Sequence, residues 1–110
     1  NMFFSVDSKE IPNGIMVTPK GIIDANTSVK LRKNLQNILQ TKPKKFIVNL
    51  EGVKRIDSSG LATLIESFQN TKKYGGIYKL IINNQVILDI FKLARLDQVF
   101  DIVSFYDDSD

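Results

Sequence analysis

An α/β layer structure is the fold class this sequence predicts, and three observations carry that reading. Short runs rich in strand formers alternate with stretches whose apolar residues recur at helical spacing, in the order ββαβαβα followed by a terminal segment. Turn and cap residues fall between the runs. The 110 residues, 43% of them hydrophobic, suffice for one core and are too few for two ordinary domains, so residues 1–110 are expected to form a single domain. In such a fold crossover helices separate parallel strands, and functional loops gather at the carboxyl ends of the strands.

Each element follows from local chemistry. Phe3 to Lys9 and Ile15 to Thr18 are β-capable, and "IPNG" between them supplies turn geometry, which makes an antiparallel hairpin the economical reading. Gly21 and Asp24 mark a break. A helix is then expected from about Thr27 to Gln40, capped by Asn26 or Thr27, with Leu31, Leu35, Ile38 and Leu39 as its buried stripe. Pro43 in "TKPKK" ends it. "KFIVNL" suits a central strand. Glu51 to Ile56 reads as a connector leading to a second helix that turns Leu61, Leu64, Ile65 and Phe68 inward and stops at "YGG", where Gly75 can take the left-handed cap. "IYKLII" is a further strand, and "NN" introduces a third helix of roughly ten residues carrying Ile87, Ile90, Phe91 and Ala94. Val99 to Phe105 is either a last strand or an irregular edge. Phe46, Phe68 and Phe91 lie in apolar elements and are expected in the core.

Composition removes several function classes. A formal charge of +3, from 15 basic and 12 acidic side chains, is too balanced for a protein that binds nucleic acid directly. Lysines gather at Lys42, Lys44 and Lys45, and Lys54 stands beside Arg55; solvated loop edges account for both groups, although the second could attract an acidic partner or ATP phosphates. Without cysteine there is no disulfide, thiolate nucleophile or cysteine zinc site, and a reducing compartment is allowed. The opening "NMFFSVDSKE" does not resemble a secretory leader, and no apolar run approaches the eighteen or more residues of a bilayer span. A cytoplasmic protein with no metal or organic cofactor is the expectation.

The chemistry concentrates in "RIDSSGLATLIESF", Arg55 to Phe68, where a strand hands over to an amphipathic helix. Ser58 can accept a first-turn backbone N–H while Asp57 faces the positive helix end, so an ordinary cap explains most of the residue types. Gly60 fits less well, because glycine inside a helix costs about 1 kcal/mol relative to alanine; a close backbone approach, or a surface over which a partner lies, would justify it. A serine hydrolase needs a base, and the chain has no histidine and no lysine one helical turn from Ser58 or Ser59. The phosphate-binding pattern G-x-x-x-x-G-K-S/T is absent, and Gly60, Gly75 and Gly76 do not form a dinucleotide loop. An aspartyl phosphoacceptor at Asp57 lacks the companion acids expected after an early strand, "VTPKG" supplying none. A hydroxyl modified by another enzyme remains: a helix N-terminus tolerates the roughly −1.5 to −2 charges of phosphoserine, which would change what the domain can touch without unfolding it.

"GIID" at Gly21 to Asp24, "FIVNL" at Phe46 to Leu50, "IDSSGLATL" at Ile56 to Leu64 and "YGG" at Tyr74 to Gly76 together resemble the STAS family, specifically the small bacterial anti-sigma factor antagonists (anti-anti-sigma factors). The resemblance spans nearly the entire chain. It implies a mixed β-sheet with packed α-helices and a phosphorylated serine at the start of the second long helix, the first serine after the aspartate, hence Ser58. Ser59 fills the following position, and Asp24, Asp57 and Gly60 match positions of the partner-facing or kinase-facing surface. The implied role is regulatory and not enzymatic. An unphosphorylated antagonist captures a GHKL-type serine kinase that doubles as an anti-sigma factor, freeing the sigma factor; phosphorylation breaks the capture and a PP2C-type phosphatase restores it. Two residues depart from the pattern: Ile22 stands where many members carry an acid, and Ala62 where a second glycine is common. A STAS module of a transport or sensory assembly, possessing some nucleotide affinity, is the alternative the resemblance leaves open.

Overall fold

The computed structural model describes residues 3–108. Strand β1 (Ser5–Ile11) and strand β2 (Gly14–Ile23) form the expected hairpin, paired from Ser5↔Lys20 to Ile11↔Gly14. Pro12 and Asn13 make its turn, Asn13 at φ 65, a left-handed position that asparagine tolerates. Helix α1 (Thr27–Leu39) follows, then strand β3 (Lys45–Asn49), strand β4 (Val53–Ile56), helix α2 (Ser58–Lys73), strand β5 (Ile77–Ile81), helix α3 (Gln85–Leu93), a 3-10 turn at Leu96–Gln98 and the two-residue strand β6 (Ile102–Val103). The sheet runs β1-β2-β3-β5-β6, with β1 antiparallel and the remaining pairs parallel.

The mixed sheet with flanking helices agrees with the predicted class; the element order is corrected by one strand. Glu51 to Ile56 is no mere connector, because Val53–Ile56 pairs in parallel with the second half of β2. Strand β3 pairs with Gly14–Val17 of β2, and β4 pairs with Gly21–Ile23, so β3 and β4 are two pieces of one line of chain, broken at Leu50–Gly52, that follows β2 along its length. Likewise β2 does not stop at Thr18. It continues through Gly21, which sits at φ +105 at the shift of register and donates its N–H to Gly52 O at 2.9 Å. Only glycine takes that backbone region without strain, and a Cβ there would meet Phe3 O at 2.0 Å. Gly21 is therefore a bend inside a strand. Past it, the tips of β2 and β4 form a short two-stranded ribbon, against which α3 packs.

Alternation along the strands divides the core into two layers. Val17, Phe46, Val48, Tyr78 and Leu80 join Leu31, Leu35, Leu39, Leu64, Ile87 and Phe91 from the helices. Met16, Ile47 and Ile81 face the other way, covered by Ile11, Val103 and Tyr106. A run of ring contacts at 5.3–5.8 Å links Phe46, Tyr78, Phe68, Phe100 and Phe91, so the three predicted core phenylalanines share one cluster, Phe68 at its half-buried margin.

Three helix details differ from expectation. In α2, Leu64 is fully buried while Leu61, Ile65 and Phe68 are half-buried; Thr63, Ser67 and Thr71 take the other buried places. Their hydroxyls return to carbonyls of their own helix at 2.8–2.9 Å, and Tyr78 adds a 2.6 Å bond to Ser67, so Thr63 and Ser67 can face α1, and Thr71 can be buried, with all three hydroxyls satisfied. In α3, Ile87 and Phe91 are buried, Ile90 is half-buried and Ala94 is exposed, because the helix stops at Leu93. Helix α1 ends at Leu39, four residues before Pro43; Lys42 at φ 51 has already turned the chain. The expected cap glycine, Gly75, is at φ +82.

Candidate functional site

The ribbon places two aspartates side by side. Ile23 and Ile56 are register partners in parallel strands, so the next residues, Asp24 and Asp57, emerge as neighbours from strands about 4.8 Å apart. Asp57 N–H donates to Ile23 O at 3.1 Å and ties the tips together. Each aspartate then starts a helix.

Asp57 is the N-cap of α2, in extended backbone at φ −103 and ψ −174. Its Oδ1 accepts the N–H of Ser59 at 3.0 Å, the N–H of Gly60 at 3.1 Å and the Ser59 hydroxyl at 2.5 Å. The Ser59 hydroxyl first, then the Gly60 and Ser59 amides, hold the Asp57 carboxyl below its usual range, against partial desolvation and the adjacent Asp24 charge. Capping in this site thus belongs to Asp57, not to Ser58. Ser58 is the first helical residue, exposed, and its hydroxyl has no hydrogen-bond partner among the described residues. Ser59, half-buried, spends its hydroxyl on Asp57.

Asp24 performs the same service for α1. Its Oδ1 accepts the N–H groups of Asn26 at 2.9 Å and Thr27 at 3.0 Å, and its own N–H donates back to Thr27 Oγ1 at 2.8 Å. This reciprocal pair explains why Asn26, one of the two expected caps, makes no side-chain capping bond, while Thr27, the other, is the first residue of the helix. Backbone donation from Thr27, before that from Asn26, lowers the Asp24 pKa.

Gly60 is buried, and the space explains it. A Cβ would lie 2.6 Å from Ile56 Cγ1 and 2.7 Å from Ile23 Cγ2. Of the two justifications open in the sequence, the close approach is the one present: Gly60 seats the first turn of α2 on the ribbon. Asp24, Asp57, Ser58, Ser59 and Gly60 therefore form one unit, although Gly60 lies beneath the surface that the others offer. Among the described residues no group of three or more carboxylates is placed to hold a metal, and no helix is long and apolar enough to cross a membrane.

One feature of this end escaped sequence reasoning. Gly21 pairs with Val53 but Ile22 pairs with Arg55, so Lys54 is an extra residue, a β-bulge in β4. Val53 and Ile56 are buried while Lys54 and Arg55 are both exposed, a pattern regular alternation does not give. Gly21 and Gly52, spaced to let two strands bend together, were the available signal.

Known proteins share this fold. The model of the STAS domain family matches residues 5–110. An anti-sigma-B factor antagonist from Bacillus subtilis is 30% identical over 101 residues, covering 92% of this chain and 92% of its own. An anti-sigma factor antagonist from Mycobacterium paratuberculosis superposes with a TM-score of 0.88 at 20% identity, covering 96% of this chain and 89% of that one. The Bacillus cell fate determinant SpoIIAA in its phosphorylated form superposes with a TM-score of 0.68 at 15% identity, covering 91% and 90%.

Proposed function

The chain belongs to the STAS domain family, and we propose that it is an anti-sigma factor antagonist controlled by phosphorylation of Ser58. In this reading the unphosphorylated protein binds a GHKL-type serine kinase that acts as an anti-sigma factor, and so releases the sigma factor. A phosphate on Ser58 ends that binding, and a PP2C-type phosphatase restores it. The protein's role is to be bound and modified, with the chemistry supplied by its partners.

The observation that carries the reading is the division of labour at the start of α2. Asp57 alone caps the helix, so the exposed Ser58 hydroxyl has no structural duty and is open to a kinase. Ser59, one residue on, has its hydroxyl engaged and is the poorer acceptor. The helix N-terminus tolerates the added anion, and the scaffold stays intact. The binding surface does not: Asp24 and Asp57 already place two carboxylates beside Ser58, so phosphate there makes a dense negative spot that is costly to bury against a surface fitted to a neutral hydroxyl. The Bacillus subtilis relative is named for the same role, and the similarly folded SpoIIAA exists in a phosphorylated form.

Incubation with the serine-kinase anti-sigma factor of the same genome, ATP and magnesium should place one phosphate on Ser58, read by mass spectrometry. Stoichiometric phosphate elsewhere, with Ser58 bare, would refute the assignment.

A further inference from the structure

Strand β1 stands at the edge of the sheet, with β2 its one strand partner among the described residues, and Ser5, Asp7, Ser8, Lys9 and Glu10 are exposed along it. An open edge presents backbone donors and acceptors that another strand can take up. Which groups these are follows from β2. In an antiparallel pair, successive residues turn their N–H and C=O alternately toward the partner strand and away from it. Pro19, opposite Val6, has no N–H to give, and Gly21 donates its own to Gly52 O at 2.9 Å, on the side away from β1. The residues opposite the odd-numbered positions of β2, namely Val6, Ser8 and Glu10, therefore direct their backbone groups outward. The side chains carry a second pattern. Asp7 and Lys9 share one face of the strand, opposite the uncharged Thr18 and Met16, and neither makes an ion pair among the described residues. Asp107 and Asp108 line a cleft with Lys9 and Met16, on the β2 side of the strand, and Lys9 makes no ion pair with them. Lys20, opposite Ser5, extends over Gly52, away from the edge.

We propose that β1 pairs with β1 of a second copy of this chain, antiparallel about a two-fold axis at Ser8, so that two sheets join into one. Hydrogen bonding requires outward-facing residues to oppose one another, which over most of this strand leaves axes at Asp7, Ser8 or Lys9. An axis at Asp7 or at Lys9 sets that residue against its own copy in the non-hydrogen-bonded position, where side chains come closest and like charges are destabilising. The axis at Ser8 sets Asp7 against the copy's Lys9 and Lys9 against the copy's Asp7, opposite charges in both close positions. Ser8 then faces Ser8, and Val6 faces Glu10, in the hydrogen-bonded ones. The two Glu10 carboxylates remain in solvent, roughly 14 Å apart along the joined strands and beyond the Debye length of about 10 Å at 0.1 M salt. Ser58 lies past the Ser5 end of the hairpin, so the axis sends its two copies to opposite ends of the joined sheet and covers neither. Dimerisation is thus independent of the role given to Ser58.

A seven-residue edge is a small interface, so the association should be weak and concentration-dependent. Sedimentation velocity of the whole chain from about 20 μM to about 1 mM should show monomer giving way to dimer. Asp7→Lys or Lys9→Asp alone places like charges in both close positions and should weaken dimerisation at least about tenfold, whereas the two substitutions in one chain restore opposite charges and should return it to within about threefold of the wild type. An equimolar mixture of the two single variants should associate more tightly than either variant alone. Both positions are exposed, so circular dichroism melts at the lowest concentration should match the wild type's. Amide hydrogen exchange reads the register: Val6, Ser8 and Glu10 should gain protection as concentration rises, while Asp7 and Lys9, whose N–H groups face β2, are protected throughout. A monomer across the whole range would overturn the proposal. So would a dimer that neither single reversal weakens, or one whose added protection falls on β6 or α3 instead of β1.

Discussion

Replacing Gly60 by alanine sets two terms of opposite sign against each other. Alanine in a helix is favoured over glycine by about 1 kcal/mol in an exposed interior position, so an open site would be stabilised. Here the added methyl would sit 2.6 Å and 2.7 Å from carbons of Ile56 and Ile23, and 3.1 Å from Ile56 Cδ1. Ile23 is wholly buried and Ile56 is 6% exposed, so neither side chain has room to withdraw. Both are β-branched and stiff at χ1. With two contacts under 3.0 Å against side chains that cannot withdraw, the cost lies in the upper part of the overpacking range, about 2–3 kcal/mol, and with the propensity gain of about 1 kcal/mol subtracted the net loss should be about 1–2 kcal/mol. Urea unfolding followed by circular dichroism is the assay. For a slope near 2 kcal/mol per M, a common value for small proteins, the midpoint should fall by about 0.5–1 M. An unchanged or higher midpoint would refute the reasoning, because it would mean that the first turn of α2 does not rest on the ribbon at Gly60.

Three further outcomes are expected. Ser58→Ala should change stability by less than about 0.5 kcal/mol, as for an exposed residue without a structural bond, while abolishing phosphate incorporation in the kinase assay; a large fall in melting temperature would give Ser58 a structural duty after all. Asp57→Ala should cost about 1 kcal/mol, the usual loss of a cap. The Asp57 carboxyl is lower in the folded state than its unfolded value near 4, so its contribution is present above that pH and disappears as pH falls through the folded value; the variant's melting temperature should accordingly decline less steeply on acidification than the wild type's. Tyr78→Phe removes the hydroxyl bonded to Ser67 and should cost about 1 kcal/mol. Burial drives the Tyr78 pKa well above the ordinary value, so its contribution holds below about pH 10 and is lost above it. Absorbance at 295 nm during alkaline titration should show Tyr78 ionising only when the protein unfolds.

The elements legible in the sequence were those with local signals. Helix α1 was marked by its leucine spacing, α2 by Asp57 and the Gly75 stop, α3 by Asn84, and the hairpin by Pro12 and Asn13. The residues of the candidate site stand together for the same reason, being consecutive in the chain apart from Asp24, which the pairing of Ile23 with Ile56 brings beside them. What was hidden depends on pairing between distant segments. Strand β4 has four residues, two of them charged and adjacent, and nothing in "VKRI" read alone announces a strand whose bulge is fixed by Gly21 on another strand. The assignment of the cap was similarly non-local: read from sequence, Ser58 takes the capping bond with Asp57 merely near the helix end, and the extended backbone that β4 imposes on Asp57 gives the role to Asp57 instead. Thr63, Ser67 and Thr71 were missed as buried positions because polarity stood in for exposure, whereas helix carbonyls and Tyr78 satisfy their hydroxyls.

The account turns on one serine whose change of charge governs docking while the fold persists. Calorimetric titration of the same-genome serine kinase with the unmodified protein and with protein phosphorylated on Ser58 tests that directly. Because like charges brought together at an interface cost several kcal/mol, the modified protein should bind at least about 100-fold more weakly, each factor of ten corresponding to about 1.4 kcal/mol, with its far-ultraviolet spectrum unchanged. Equal affinity for the two preparations would contradict the account.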